Sequence, residues 1–323
     1  MEREDGAIRI ARRDVIKASG ALVGGLALGA PALGAQAPAA SIDELDRQSF
    51  PGFRSLEIET APGVSIHTLV GGQGPPVLLL HGAPQSHLSW AKVAVELARD
   101  YTVVATDLRG YGWSSKPDGG EDHVNYSKRT MANDQVTVMQ TLGFERFDLL
   151  GHDRGGRVGR RLALDHPDRV RKLSVLDIVP AHYLYAHTTR AFAEAYVHWF
   201  IFIRPAPFGE NFISRTGMFK GGGDEASIYE DPAAIHAMCE DYRASAGIDI
   251  GNDEADLAAK RFVRCPLRVL WGDRAPMGRL YDVLGIWQME ATSATGRAMP
   301  GGHSFHVENP EDTYAELKAF LDA

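Results

Sequence analysis

The sequence predicts an α/β architecture: an open, doubly wound, mostly parallel sheet with a helical segment inserted late in the order. Three observations carry this. Short continuous apolar runs alternate with stretches of helical spacing, as buried parallel strands and their crossover helices do. An apparent β-hairpin precedes them. The alternation then stops between Val179 and about Ala259 and resumes at "CPLRVLWG".

In chain order, "SLEIET" and "SIHTLV", separated by "APGV", read as the hairpin. "PPVLLLHG", "YTVVATD", "FDLLGHD", "KLSVLDI" and "LRVLWGD" are apolar throughout, as strands covered on both faces should be. Ser86–Asp100, Ser127–Gly143, Gly155–His166 and Pro310–Asp322 carry helical spacing with plausible starts. Residues 180–259 hold "YAHTTRAFAEAYVHWFIFIRPAPFGENF", a loose "KGGGDEAS" and "HAMCEDYRASAG", aromatic-rich and without strand runs. A helical cap over the active end of a core formed by residues 50–179 and 260–323 is the natural assignment. In such a sheet the ligand sits beyond the strand carboxyl ends.

Residues 1–37 read differently. Arg12-Arg13 stand before a Gly/Ala/Leu-rich run that ends in the small-x-small step Ala35-Gln36-Ala37. That order predicts an export signal of the twin-arginine type, and hence a periplasmic protein. The 323-residue chain is 44% hydrophobic, enough for a packed core, and its formal charge of −8 offers no broad basic field for nucleic acid. No apolar run reaches the ~18 residues of a membrane span. Cys239 and Cys265 are read as two separate thiols. A homodimer is compatible with the sequence.

The chemistry concentrates in "LLGHDRGGRVGRR", residues 149–161. Gly151 and Gly155 flank Asp153 between a strand and a helix, the setting of a nucleophile elbow; the plain alternative is an acidic helix N-cap. A carboxylate attacking acyl carbon would form a labile anhydride. At sp³ carbon it can displace a leaving group and form an alkyl ester, which water then hydrolyses. Upstream, the turn His81-Gly82-Ala83-Pro84 can offer the Ala83 N–H, with that of Arg154, to a developing oxyanion. In "GGHSFHVENP" His303 is the candidate base, with His306 as rival and an ordinary loop histidine its plainer reading. Two acids could orient His303: Asp177 after "LSVL", the preferred one, and Asp273 after "RVLWG".

Arg154 and Arg157 share one face of the helix start. Cations there oppose the macrodipole at ~0.3–1 kcal/mol each. A bound carboxylate would offset that through charge-assisted bonds of ~1.5–3 kcal/mol each. For Arg160 and Arg161 surface pairing, for example with Asp165 or Asp168, is the expectation.

Together "HGAPQ", "DLRGYGWSSKP", "GHDRGGRV" and "GHSFHVENP" resemble the α/β-hydrolase fold over residues 50–323. "HDRGGRV", "LDI", "YVHW", "RPAPFGEN" and "CEDYRA" narrow the resemblance to the fluoroacetate (haloacetate) dehalogenases. The resemblance implies Asp153 as nucleophile, Arg154 and Arg157 on the substrate carboxylate, and His303 with Asp177 as the water-activating pair. It implies a halide cradle of His198, Trp199 and Tyr242, a small anionic haloacid as ligand, and neither metal nor organic cofactor. No metal-ligand spacing is evident along the chain. Ala83 stands where relatives often carry a bulkier aromatic, and the span from Trp199 to Tyr242 is short, with "KGGG" in place of more helix. An epoxide hydrolase is the rival: it would use cap tyrosines such as Tyr183, Tyr185 or Tyr196, but its family typically has tryptophan at the position of Arg154. A non-catalytic binding protein would be expected to lose Asp153, His303 or the acid, and all three are present.

Overall fold

The computed structural model describes residues 41–219 and 228–323, so the expected export signal and the "KGGGDEAS" stretch lie outside the described residues. The chain runs α1 (Ile42–Ser49), β1 (Arg54–Ala61), β2 (Val64–Gly71), β3 (Pro76–Leu80), α2 (Ala91–Leu97), β4 (Thr102–Thr106), α3 (Lys128–Thr141), β5 (Phe147–His152), α4 (Arg154–Asp165) and β6 (Val170–Leu176). Then come α5 (Ala181–Ala186), α6 (Arg190–Ala195), α7 (Val197–Phe202), α8 (Phe208–Thr216), α9 (Pro232–Ala246) and α10 (Ile248–Ala258). The sheet resumes with β7 (Leu267–Gly272), followed by α11 (Pro276–Leu280), α12 (Val283–Gln288), β8 (Ala294–Met299), α13 (Phe305–Glu308) and α14 (Pro310–Asp322).

One eight-stranded sheet has the order β1-β2-β4-β3-β5-β6-β7-β8. β1 and β2 form the expected hairpin and β2 joins β4 antiparallel, while every later pairing is parallel. The continuous apolar runs have a direct cause. Along β3, Leu78 and Leu80 enter one core cluster with Val158 and Leu162 of α4, whereas Val77 and Leu79 enter the other with Val93 of α2 and Leu317 of α14. Successive side chains point to opposite faces, and both faces are covered, so no position is free to be polar.

β8, α1 and the short helices α11, α12 and α13 have no counterpart in the sequence reading. β8 is "ATGRAM", with only its last residue buried. It is an edge strand that exists through its parallel ladder to β7, so hydrophobic patterning has nothing to detect. α1 is an eight-residue helix whose one buried side chain is Asp46. The stretch beginning at Ser86 opens with a 3₁₀ turn, His87–Trp90, before α2. Cys239 and Cys265 are free thiols. No helix among the described residues is long and apolar enough to cross a membrane.

Candidate active site

The elements that matter here end at the same edge of the sheet. β5 delivers Asp153, β6 delivers Asp177, the turn after β3 delivers Ala83, and the loop after β8 delivers His303. Asp153 has φ +47 and ψ −114, outside the regions favoured by residues with a Cβ, a strain of order 1–3 kcal/mol. The flanking glycines make the turn possible. A Cβ on Gly155 would lie 2.4 Å from the carbonyl oxygen of Leu80, and one on Gly151 would lie 2.5 Å from that of Gly155. Asp153 occupies the N-cap position of α4, yet its side chain makes no capping bond. The Ala83 N–H instead donates to its Oδ1 at 3.1 Å.

His303 faces this carboxylate, with Nε2 3.9 Å from Asp153 Oδ2. Its Nδ1 is 2.6 Å from Asp177 Oδ2, and the Gly272 N–H donates to Asp177 Oδ1 at 2.9 Å. Asp273 accepts the Gly301 N–H at 3.0 Å instead. Of the two candidate acids, the structure joins Asp177 to His303. Burial pushes the His303 imidazole down, but the hydrogen bond and charge of Asp177, and the charge of Asp153, outweigh it and raise the pKa to about 9. Burial likewise pushes the Asp153 carboxyl up. The opposing charges of His303, Arg154, His152 and Arg157 win, and it stays ionised well below the usual carboxylate range.

His306 is not a loop histidine. It lies in α13, fully buried, with its ring 4.3 Å from that of His152 and 4.8 Å from that of Trp90. Burial and the neighbouring His152 and His303 hold it well below its ordinary pKa.

Arg154 and Arg157 are both buried. Arg154 Nη1 donates to Ser245 Oγ at 2.8 Å and lies 3.3 Å from Asp241 Oδ1, while its guanidinium sits 3.5 Å from the centroid of the Tyr242 ring. Arg157 donates from Nε and Nη2 to the Val179 carbonyl, both at 3.2 Å, with its guanidinium 4.6 Å from the Trp199 centroid. Three donors are left over: Nε and Nη2 of Arg154 and Nη1 of Arg157 are buried without a hydrogen-bond partner among the described residues. A buried guanidinium donor without a partner is costly, and a ligand carboxylate would remove that cost. Burial, with the adjacent charge of Arg154, pushes Arg157 down to about 10, so it remains cationic at neutral pH.

The inserted helices bring the other predicted residues together. The Tyr242 ring lies 6.0 Å from those of both His198 and Trp199, centroid to centroid. Burial and the charge of Arg154 hold His198 down at about 4, so its imidazole is neutral at pH 7 and presents an N–H donor.

Arg160 and Arg161 depart from the surface-pairing expectation. Both are buried. Arg160 bonds Glu290 and Asp253, each at 2.6 Å, and Arg161 pairs with Asp253 at 2.8 Å and Asp256 at 2.6 Å. The anticipated Asp165 contact of Arg161 is present at 3.3 Å, but it is the longest of its set. The physical reason is α10, which lays its carboxylates over this part of α4.

Some orienting groups escaped the sequence reading. Asp241 and Ser245 hold Arg154, and their i, i+4 spacing on α9 was the available signal. Asp241 is itself bound by Lys128 and by the Tyr111 hydroxyl at 2.5 Å. His152 Nε2 is 2.9 Å from the His303 carbonyl, a backbone contact that side-chain patterns do not report.

Comparison with known proteins identifies the family. A profile of the α/β hydrolase fold matches residues 75–225. A fluoroacetate dehalogenase from a Burkholderia species is 45% identical over 291 residues, covering 84% of this chain and 95% of its own. A soluble epoxide hydrolase from Corynebacterium sp. strain C12 is 43% identical over 276 residues, 77% of this chain and 91% of its own. A crystal structure of a chain described as an α/β hydrolase, from Nostoc sp. PCC 7120, superposes with a TM-score of 0.79 at 45% identity, covering 83% of this chain and 98% of its own. The chain belongs to the fluoroacetate (haloacetate) dehalogenase family of the α/β-hydrolase superfamily.

Proposed function

We propose that the protein hydrolyses a short 2-haloacid, fluoroacetate or another haloacetate, to the 2-hydroxy acid. The observation that carries the reading is the set of three unpartnered guanidinium donors beside an ionised carboxylate on a strained turn. The substrate carboxylate bridges Arg154 and Arg157. Asp153 Oδ1 already accepts the Ala83 N–H, so Oδ2 is the free nucleophile. It attacks the α-carbon, the carbon–halogen bond breaks, and the halide departs with the electron pair. N–H and O–H donors of His198, Trp199 and Tyr242 replace the water that the leaving ion would otherwise need.

Ester formation removes the Asp153 charge, one of the influences that raise His303, so the imidazole becomes free to act as a base. His303 Nε2 takes a proton from water, and the hydroxide adds to Asp153 Cγ. The N–H groups of Ala83 and Arg154 stabilise the oxyanion that develops on Oδ1. Collapse expels the 2-hydroxy acid, whose alkoxide recovers the proton from His303, and Asp153 keeps one oxygen from water. The inserted helices, residues 180–259, act as the cap. Export through the residue 1–37 signal belongs to the same proposal, and a native N-terminus at Met1 would remove it.

The test is halide release from fluoroacetate and chloroacetate by the full chain and by Asp153→Asn, with a single turnover in ¹⁸O-water. The expected result is release abolished in the variant and ¹⁸O in Asp153 rather than in the product. Label appearing directly in the product would mean that water, not Asp153, attacks the substrate.

Epoxide hydrolysis is the second reading, and one observation favours it. The hydroxyls of Tyr185 and Tyr196 are buried with no hydrogen-bond partner among the described residues, and charges of the site reach both. Either could protonate an opening ring. Turnover of a neutral epoxide without any halide release would select it.

A further inference from the structure

Away from the candidate active site, three elements distant in sequence bring Asp46, His67 and His87 together. Asp46 is on α1, His67 on β2 and His87 at the start of the 3₁₀ turn after β3. All three are buried, and one ligand atom from each lies within 4.8 Å of the others. His87 Nε2 is 2.9 Å from Asp46 Oδ1, and His67 Nε2 is 3.1 Å from Asp46 Oδ2. Both imidazoles therefore aim the same ring nitrogen at one carboxylate.

Their other nitrogens are also fixed. His67 Nδ1 is 2.6 Å from Glu57 Oε1, and His87 Nδ1 is 2.9 Å from Asp107 Oδ1. A carboxylate behind the distal nitrogen of each histidine is the arrangement that sets tautomer and ring angle in metal sites. Around a tetrahedral ion with bonds of ~2.0 Å, neighbouring donor atoms stand about 3.3 Å apart. The two Nε2–oxygen distances fall within a few tenths of an ångström of that; they reach the two different oxygens of Asp46, and with one atom from each residue the spread is within 4.8 Å, so the side chains would draw in on loading.

We propose that Asp46, His67 and His87 form a binding site for a divalent transition-metal ion of the zinc class. Two imidazoles and a carboxylate suit such an ion better than magnesium or calcium, which prefer all-oxygen shells. Charge is conserved on loading. Without an ion, each Nε2–Asp46 contact needs a hydrogen, and each ring already donates from Nδ1 to a carboxylate. One divalent ion replaces those two hydrogens with the same total charge. The role is structural. Within α1 only Asp46 is buried, with Phe50 packed into the core just after it, so a metal bond would add a second anchor to this short helix.

The experiment is a Zn²⁺ titration of the untagged full chain after EDTA treatment, with bound metal counted and Tm followed, then repeated with Co²⁺ for its visible d–d absorption. Asp46→Asn and His67→Gln are the variants. The expected result is one Zn²⁺ per chain, a rise of about 3 °C or more in Tm at saturation, and a Co²⁺ band of tetrahedral intensity. Asp46→Asn should weaken binding at least tenfold, and Mg²⁺ should leave Tm unmoved. Absence of stoichiometric binding to the unaltered chain would overturn the proposal, whatever the variants do. So would retention of the full Co²⁺ band in both variants, which would put the ion elsewhere.

Discussion

The first and second turns of α4 carry the same residue type to opposite ends. Arg154 and Arg157 keep three buried donors without partners, while Arg160 and Arg161 meet Asp253, Asp256 and Glu290. All four side chains are buried, so burial alone does not distinguish a binding cation from an architectural one. What distinguishes them is whether the protein supplies the counter-charge. On the first turn, aromatic faces and carbonyl oxygens surround the guanidinium groups, and the carboxylate that pairs with Arg154, Asp241, is shared with Lys128. On the second turn, α10 and Glu290, two residues past α12, bring carboxylates enough for both.

Substitutions can break or sharpen this contrast. Arg154→Met removes two free donors, each worth ~1.5–3 kcal/mol to a bound carboxylate, so kcat/KM for haloacetate should fall by about 10²-fold or more. An unchanged value would place the substrate elsewhere. Arg160→Met should leave KM alone and instead cost about 1–3 kcal/mol of stability, because Asp253 and Glu290 each lose a buried hydrogen-bonded partner and keep only His182 and, for Asp253, Arg161. Urea denaturation read by its midpoint tests this, and a KM rise to match that of Arg154→Met would erase the distinction between the turns. Arg157→Met loses a single free donor, and KM should rise about 10- to 100-fold with the unfolding midpoint less affected than in Arg160→Met.

A smaller effect concerns pH. His303 has a raised pKa, so the stability that its pairing with Asp177 adds is complete below 6.5 and is lost as pH climbs through about 9. In the proposed mechanism ester hydrolysis needs the neutral ring, and since the ester lacks the Asp153 charge its rate should rise with pH through an inflection below about 9. In Asp177→Asn that inflection should move further down, toward the ordinary 6.5; an unmoved inflection would assign it to another group. The smallest effect is expected for Asp273→Asn, within about threefold of the unaltered rate, since that carboxylate holds the Gly301 N–H and not His303.

The candidate residues Asp153 and His303 and the first arginine pair were legible because each sits in a local signature: glycines around Asp153 and His303, and a shared helix face for the cations. The choice between Asp177 and Asp273 rested on a preference, since both follow apolar strands, and the hydrogen bond from His303 is a long-range contact that local pattern does not encode. Arg160 and Arg161 were misplaced for the same reason. Their helix positions resemble solvent-facing ones until α10, some ninety residues later, covers them. β8 and α1 were missed because neither carries an apolar pattern: one is held by a backbone ladder and the other buries a lone carboxylate.

By itself the sequence determined the strand and helix alternation, the elbow at Asp153 and the presence of two arginines beside it. Those depend on side-chain period and on the backbone freedom of a few glycines, both local properties of the chain. Only the tertiary structure decided which acid meets His303, which arginines are left without a counter-charge, and that Asp46, His67 and His87 converge. Each of these turns on distances between residues far apart in sequence, and electrostatic and hydrogen-bond energies follow distance in space.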